Sequence, residues 1–213
     1  MKQDQVLSTV KDSELVEKRQ NQMIKGAITL FKEKGFHRTT TREIAKESGF
    51  SIGTLYEYIR TKEDVLFLVC DSIHEQVRER LESAIKMENP SVGHLISVVK
   101  SYFQLMDEMQ EEIVIMYQEV KSLKKDSKEY VLKKEREMVN MLEYVIITCI
   151  PEKVTKKNAE LLANNIFIQG QMWGFRRWVL QKQFTLDEYI EGQTNFILQA
   201  LAIGDTASKE TYK

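Results

Sequence analysis

The chain has 213 residues, 42% hydrophobic and 30% charged, and a formal net charge of −1: enough for a core, too apolar for disorder, and by itself no argument for nucleic acid. No run approaches the roughly 18 apolar residues of a membrane span, and the polar start lacks the apolar stretch of a secretory signal. Only two prolines and nine glycines interrupt the helical periodicity, so an all-α cytoplasmic protein is expected.

Residues 1–16 are polar and of mixed charge, the pattern of a flexible tail, with an arm that touches DNA as the alternative. A first helix is expected from about residue 17 to residue 34. Thr40-Thr41-Arg42-Glu43 then fits a capping box, the Thr40 hydroxyl capping a short helix and Glu43 reaching back to the cap's backbone N–H. Ile44 and Ala45 give that helix an apolar face, and Gly49 supplies the positive φ that turns the chain. Ser51 is the N-cap of a second short helix, Ile52 to Tyr58, in which Leu55 and Ile59, four apart, face the core. Gly53 is out of place there, since glycine in a helix costs roughly 1 kcal/mol relative to alanine. Close approach of another backbone would account for it.

Two short helices about a glycine turn, the second led by small and polar residues, form a helix-turn-helix suited to the DNA major groove. Thr54 and Ile52 are expected near base edges with Gly53 permitting approach, while Thr40, Arg42, Tyr56, Tyr58 and Lys62 hold phosphates and Ser51 starts the helix. Residues 1–60 carry eleven Lys or Arg against eight Asp or Glu, so the positive excess lies where phosphate attraction requires it.

Thr61-Lys62-Glu63-Asp64 fits a second capping box and opens a long helix whose apolar stripe, Leu66, Val69, Ile73, Val77, Leu81 and Ile85, runs until Asn89-Pro90 stops it. Further helices are expected over 92–109, 111–124, 127–150, 155–182 and 185–203, the last opened by the helix start Thr185-Leu186-Asp187-Glu188, with a polar tail over 205–213. Cys70 and Cys149 are expected to be free thiols. His37, His74 and His94 have no metal-ligand spacing, and neither a phosphate-binding glycine loop nor a nucleophile elbow is present, so no enzyme, metal or cofactor is expected. Ala163, Phe167, Gly170 and Gly174 form a stripe of mostly small side chains, and Tyr189, Gln193, Phe196 and Ala200 a face on the last helix. Both suit close helix packing, within one chain or between two. Phe103, Met106, Met116, Tyr117, Met138 and Met141 are a Met- and aromatic-rich set that suits a core or a cavity.

The segment from Lys18 to Phe67 closely resembles the N-terminal domain of TetR-family transcriptional regulators. Met23-Ile24-Lys25-Gly26-Ala27 through Leu30-Phe31 to Lys34-Gly35-Phe36 looks like the family's opening helix. Thr39 to Ala45 resembles its second helix, Gly49 to Tyr58 its recognition helix, and Thr61 to Leu66 the start of its fourth. Ile52 departs from the family's basic or small polar residue, and Ile59 from its phenylalanine. Ile52 suggests apolar contact with a thymine methyl in place of a hydrogen bond.

The resemblance implies an N-terminal three-helix DNA-binding domain (17–64) and a C-terminal helical ligand-binding and dimerisation domain (65–204). It further implies a homodimer, joined through a four-helix bundle of the last two helices, that a small effector releases from a palindromic operator in double-stranded DNA. It turns the two helix faces into an expected dimer interface and the Met-rich set into an expected cavity lining. Gln169 to Trp178 and Phe184 to Tyr189 more loosely resemble TetR-like regulators of fatty-acid and sterol degradation, several of which sense acyl-coenzyme A. That likeness implies Trp173, Arg176 and Arg177 as ligand contacts, the arginines on CoA phosphates; surface or dimer salt bridges are the equal alternative for the two arginines. The alternatives are a repressor sensing planar cationic drugs, with Glu112, Glu119 and Glu143 as cavity carboxylates, or a helical interaction protein without specific DNA binding.

Overall fold

The fold was obtained as a computed structural model that describes residue 10, residues 12–86 and residues 89–210, with side chains as far as 201. Among the described residues the regular structure is helical: α1 Ser13–Lys34, α2 Thr41–Glu47, α3 Ile52–Tyr56, α4 Lys62–Ile85, α5 Val92–Glu108, α6 Gln110–Glu119, α7 Lys125–Cys149, α8 Lys156–Phe175, α9 Arg177–Leu180 and α10 Leu186–Glu210. A 3-10 turn, Val120–Ser122, follows α6, where the expected helix over 111–124 was continuous.

Several boundaries differ from expectation; α3, expected to reach Tyr58, ends at Tyr56. α1 starts at Ser13 because the Asp12 carboxylate accepts from Glu14 N and Leu15 N, both at 3.1 Å, so 13–16 are helix rather than tail. The rest of the expected tail, apart from residues 10 and 12, lies outside the described residues. α10 runs on to Glu210, which makes 205–210 helical, while 211–213 lie outside the described residues. The single helix expected over 155–182 is two, because Arg176 leaves helical geometry at φ −110° and ψ 23° before α9 adds one turn. Neither glycine nor proline stands at that break.

The described residues form two compact units, one of those up to 75 together with 111–134, the other of those in 76–110 and from 135 onward. The divisions fall inside α4, after the first residue of α6 and inside α7, and the expected DNA-binding head, 17–64, lies whole within the first unit. Its core is built from Met23, Ala27 and Phe31 of α1, Ile44 of α2, Leu55 of α3, Ile59, and Val65, Leu66 and Val69 of α4, all buried. Gly26 lets α2 come close, since a Cβ there would sit 2.7 Å from the Ser48 hydroxyl oxygen. α1 ends at Gly35 (φ 79°), whose N–H donates to Phe31 O at 3.0 Å, and Gly49 (φ 76°) makes the turn after α2. At the start of α4 only half of the expected capping box forms. Asp64 accepts from Thr61 N (2.8 Å) and Arg60 N (3.0 Å), while the buried Thr61 hydroxyl has no partner.

The same unit attaches α6 and the residue before α7 to this core. Lys32 pairs with Glu112 at 3.2 Å and Lys124 with Asp64 at 2.7 Å, while His37 Nε2 lies 3.5 Å from Glu119. Burial raises the Asp64 pKa, but the hydrogen bonds from Lys124, Thr61 and Arg60 outweigh it and leave the carboxyl below its ordinary value.

In the second unit α5 lies against α8 and α10. The Tyr102 ring stacks on Phe167 (centroids 5.7 Å), and its hydroxyl donates to Phe167 O at 2.9 Å. A methyl group at Gly170 would run into that ring, and one at Gly174 would come within 3.2 Å of Gln110 Cβ. Trp173 donates from Nε1 to Asp107 at 2.6 Å and packs on Tyr189 at 5.0 Å, while Tyr189 donates to Gln169 O at 2.7 Å.

Candidate nucleic-acid interface

The geometry of the helix-turn-helix follows from its caps. Thr40 Oγ1 accepts from Glu43 N at 3.3 Å, and Glu43 Oε2 accepts from Thr40 N at 2.9 Å, a complete capping box. The Lys34 ammonium beside Glu43, with the bonds from Thr40, holds that carboxyl down at about 2. Ser51 caps α3 by accepting from Thr54 N at 3.0 Å, and the two hydroxyls share a further bond of 3.0 Å. The Tyr56 hydroxyl meets Thr41 Oγ1 at 3.1 Å, so an exposed side chain of α3 is braced on α2.

This leaves Thr40, Arg42, Ser51, Gly53 and Tyr56 exposed and Ile52 and Thr54 half-exposed on one motif. Gly53 is informative because a Cβ there would meet nothing nearer than Ser51 Oγ at 3.6 Å. Packing within the chain therefore does not require glycine, and its helical cost is not offset inside the protein.

Two expected phosphate contacts are corrected. Tyr58 is 2% exposed, a core side chain. Lys62 spends its three ammonium protons on the carbonyls of Phe36 (2.8 Å), His37 (3.2 Å) and Thr39 (2.9 Å), with the Nζ 4.3 Å over the Phe36 ring. It closes the turn between α1 and α2. Lys46, one helical turn after Arg42 on α2, and Arg60, just past α3, are exposed instead. The i,i+4 spacing of Arg42 and Lys46 was the available signal for the first.

The expected cavity residues are divided between the two units. Phe103, Met106, Met138 and Trp173 are buried in the second unit, and Met116 is buried in the first. Tyr117, also in the first unit, is 65% exposed and lines no core. Met141 borders a mostly apolar groove of about 470 Å³ between α4 and α7, with Ile85, Tyr144, Asn140 and Lys86. Arg176 is exposed and Arg177 half-buried. Of the carboxylates a cationic drug would need, Glu112 already pairs with Lys32, and Glu119 lies beside His37.

The expected dimer stripe is also corrected. Ala163, Phe167, Gly170 and Gly174 are buried within the chain, where Gly170 receives Tyr102 of α5. Tyr189 is buried against Trp173 and Phe103, and Gln193 is half-buried. Phe196 and Ala200 remain exposed, and so do Leu161 and Ile168 on the other side of α8, which the sequence reading passed over. Their spacing of seven residues, two helical turns, would have marked that side.

The model of the family "Bacterial regulatory proteins, tetR family" matches residues 23–69. The chain is 30% identical over 189 residues to the HTH-type transcriptional regulator HbdR of Aromatoleum sp. (strain CIB), a match spanning 88% of this chain and 82% of that protein. The chain belongs to the TetR family. It is an all-α helix-turn-helix transcriptional regulator, as the resemblance of residues 18–67 implied. The Fatty acid metabolism regulator protein of Bacillus subtilis (strain 168) is 33% identical over 85 residues, 40% of this chain and 44% of that one. Among solved structures of the TetR fold, AibR in complex with isovaleryl coenzyme A and operator DNA superposes with a TM-score of 0.69. It covers 84% of this chain and 97% of its own at 18% identity, a likeness of fold. Among the described residues no helix is long and apolar enough to cross a membrane.

Proposed function

We propose that this TetR-family regulator is a homodimeric repressor that a long-chain acyl-coenzyme A releases from a palindromic operator. The observation that carries the DNA half is the leading face of α3. Ser51, Gly53 and Tyr56 are exposed, and a glycine stands where nothing in the chain requires one. Thr54 and Ile52 read base edges, and Ile52 favours a thymine methyl. Thr40, Arg42 and Tyr56 hold phosphates, joined by Lys46 and Arg60 in place of Tyr58 and Lys62.

Two half-sites need two heads. Leu161 and Ile168 on α8, with Phe196 and Ala200 on α10, are exposed apolar positions on the helices that the family resemblance assigns to dimerisation. A second copy is the occupant that fits. The acyl-CoA half is supported by two relatives, one a fatty acid metabolism regulator and one solved in complex with isovaleryl coenzyme A and operator DNA. Arg176 and Arg177 are the cations that hold the CoA phosphates. The effector must bind the DNA-incompetent state more tightly, and DNA then weakens the effector by the same factor.

The test begins with selection of operators from random duplex DNA, expected to yield a palindrome with half-sites about one helical turn, ~34–36 Å, apart. Palmitoyl-CoA is then titrated into the complex, with free CoA and palmitate as controls. Release by the thioester supports the proposal. A recovered palindrome that palmitoyl-CoA leaves bound at saturation refutes the effector, and no recovered consensus refutes the operator.

A further inference from the structure

α3 carries the residues that would meet base edges, yet its sequence, Ile52-Gly53-Thr54-Leu55-Tyr56, holds no Arg, Lys, Asn or Gln. Those are the side chains that grip a purine edge in the major groove with two hydrogen bonds at once. Leu55 is fully buried, so base contact falls to Ile52, Gly53, Thr54 and Tyr56. Ile52 has no polar group on its side chain, and Gly53 has no side chain. What remains are the hydroxyls of Thr54 and Tyr56, beside that of the cap, Ser51.

Each of those hydroxyls is directed by a neighbour. Thr54 Oγ1 lies 3.0 Å from Ser51 Oγ, the same oxygen that accepts from Thr54 N at 3.0 Å. Whichever hydroxyl donates, the pair holds Thr54 in a rotamer with Oγ1 turned back toward the cap. The two branches on a threonine Cβ occupy different staggered positions, so the Cγ2 methyl points away from Ser51. Thr54 is half-exposed. The Tyr56 hydroxyl meets Thr41 Oγ1 at 3.1 Å and is thereby tied to α2, in keeping with a phosphate contact rather than a base contact. All of these groups belong to the first unit.

Taking as its basis the reading above that α3 enters the major groove, we infer that Thr54 reads DNA with its methyl group. Cγ2 packs on the C5 methyl of a thymine, and the hydroxyl stays with Ser51. Together with Ile52 this makes the leading turn of α3 an apolar reader, and the operator half-site carries thymines where the two residues lie. Thymine is the base that presents a methyl group in that groove, whereas the other bases present polar edges that a methyl group leaves unpaired.

The experiment uses the full chain and the operator recovered from random duplexes, with affinity measured by fluorescence anisotropy. Each thymine of the half-site is replaced in turn, in both half-sites, by deoxyuridine, which removes the C5 methyl and keeps the base pair. Loss of one buried methyl is expected to weaken binding about fourfold per half-site and about fifteenfold for the two together. The ratio of thymine to uracil affinity is then measured for Thr54→Ser, which keeps the hydroxyl and loses the methyl, and for Thr54→Val, which does the reverse. At one position of the half-site Thr54→Ser should bring that ratio to about one, while Thr54→Val should preserve it. Because the ratio refers each variant to itself, a general loss of affinity or stability in either does not decide the outcome. A half-site without A·T pairs, or uracil that changes affinity nowhere, overturns the inference while the recovered consensus still supports the operator reading. A uracil penalty that keeps its full size in Thr54→Ser at every position belongs to Ile52 and overturns it as well. A ratio kept by Thr54→Ser and lost by Thr54→Val gives the contact to the hydroxyl, with the same result. If random duplexes yield no consensus, the operator reading itself falls, and the inference with it.

Discussion

Lys62 shows how one side chain can be reassigned by its surroundings. In the sequence it is a cation at the edge of a DNA-binding motif; in the fold its ammonium is saturated by three backbone carbonyls that the turn between α1 and α2 leaves open. Lys62→Met, which keeps the aliphatic stem, is expected to cost about 2 kcal/mol in urea unfolding. The slope of log K for operator against log salt should stay unchanged, because this ammonium displaces no counterion. A slope reduced by about one would return Lys62 to the phosphate contacts. His74 makes a second prediction at this scale. Burial and Lys134 depress its pKa from 6.5 to about 4, so between those values the unfolded chain binds a proton that the native chain refuses. Its contribution to stability is complete above pH 6.5 and is lost as pH falls toward 4. The native state should lose about 2 kcal/mol from this group on going from pH 8 to pH 5. Denaturant unfolding at both pH values should show that loss shrinking in His74→Phe, and an equal loss in both proteins would count against it.

At the scale of elements, caps were legible because their chemistry is local. The Thr40–Glu43 and Thr185–Glu188 boxes form with both reciprocal bonds, since four consecutive residues determine them. The box at Thr61 forms by half, because the threonine hydroxyl is buried away from the N–H groups it would cap. The break at Arg176 left no trace in the sequence, having neither glycine nor proline to announce it. α3 offers the sharpest test of an element's purpose. Gly53→Ala should stabilise the free protein by about 0.5 kcal/mol, as alanine fits the helix and meets only Ser51 Oγ at 3.6 Å. The same change should weaken operator binding if the glycine serves close approach to DNA. Thermal unfolding and operator titration of one variant measure the two effects, and a substitution that leaves operator affinity intact removes Gly53 from the interface.

For the whole molecule, α8 has two sides, and the one expected to serve association is already covered within the chain. The small-residue side seats α5, while Leu161 and Ile168 stay exposed. Phe196→Glu or Ile168→Glu should therefore shift sedimentation equilibrium from dimer toward monomer. Gly170→Ala should instead cost about 1–3 kcal/mol of stability by overpacking Tyr102, without weakening the dimer itself. Dissociation by Gly170→Ala alone would reverse the assignment. Periodicity, caps and turn glycines determined by themselves most of the helices and the helix-turn-helix, because these depend on contacts a few residues apart, and the resemblance of residues 18–67 pointed to the family. Tertiary structure alone decided which face of a helix is already covered, which cation is already spent, and which polar side chain is buried without a partner. Those outcomes depend on groups far apart in the chain, such as Lys62 with Phe36 and Tyr102 with Gly170, whose meeting no local pattern encodes.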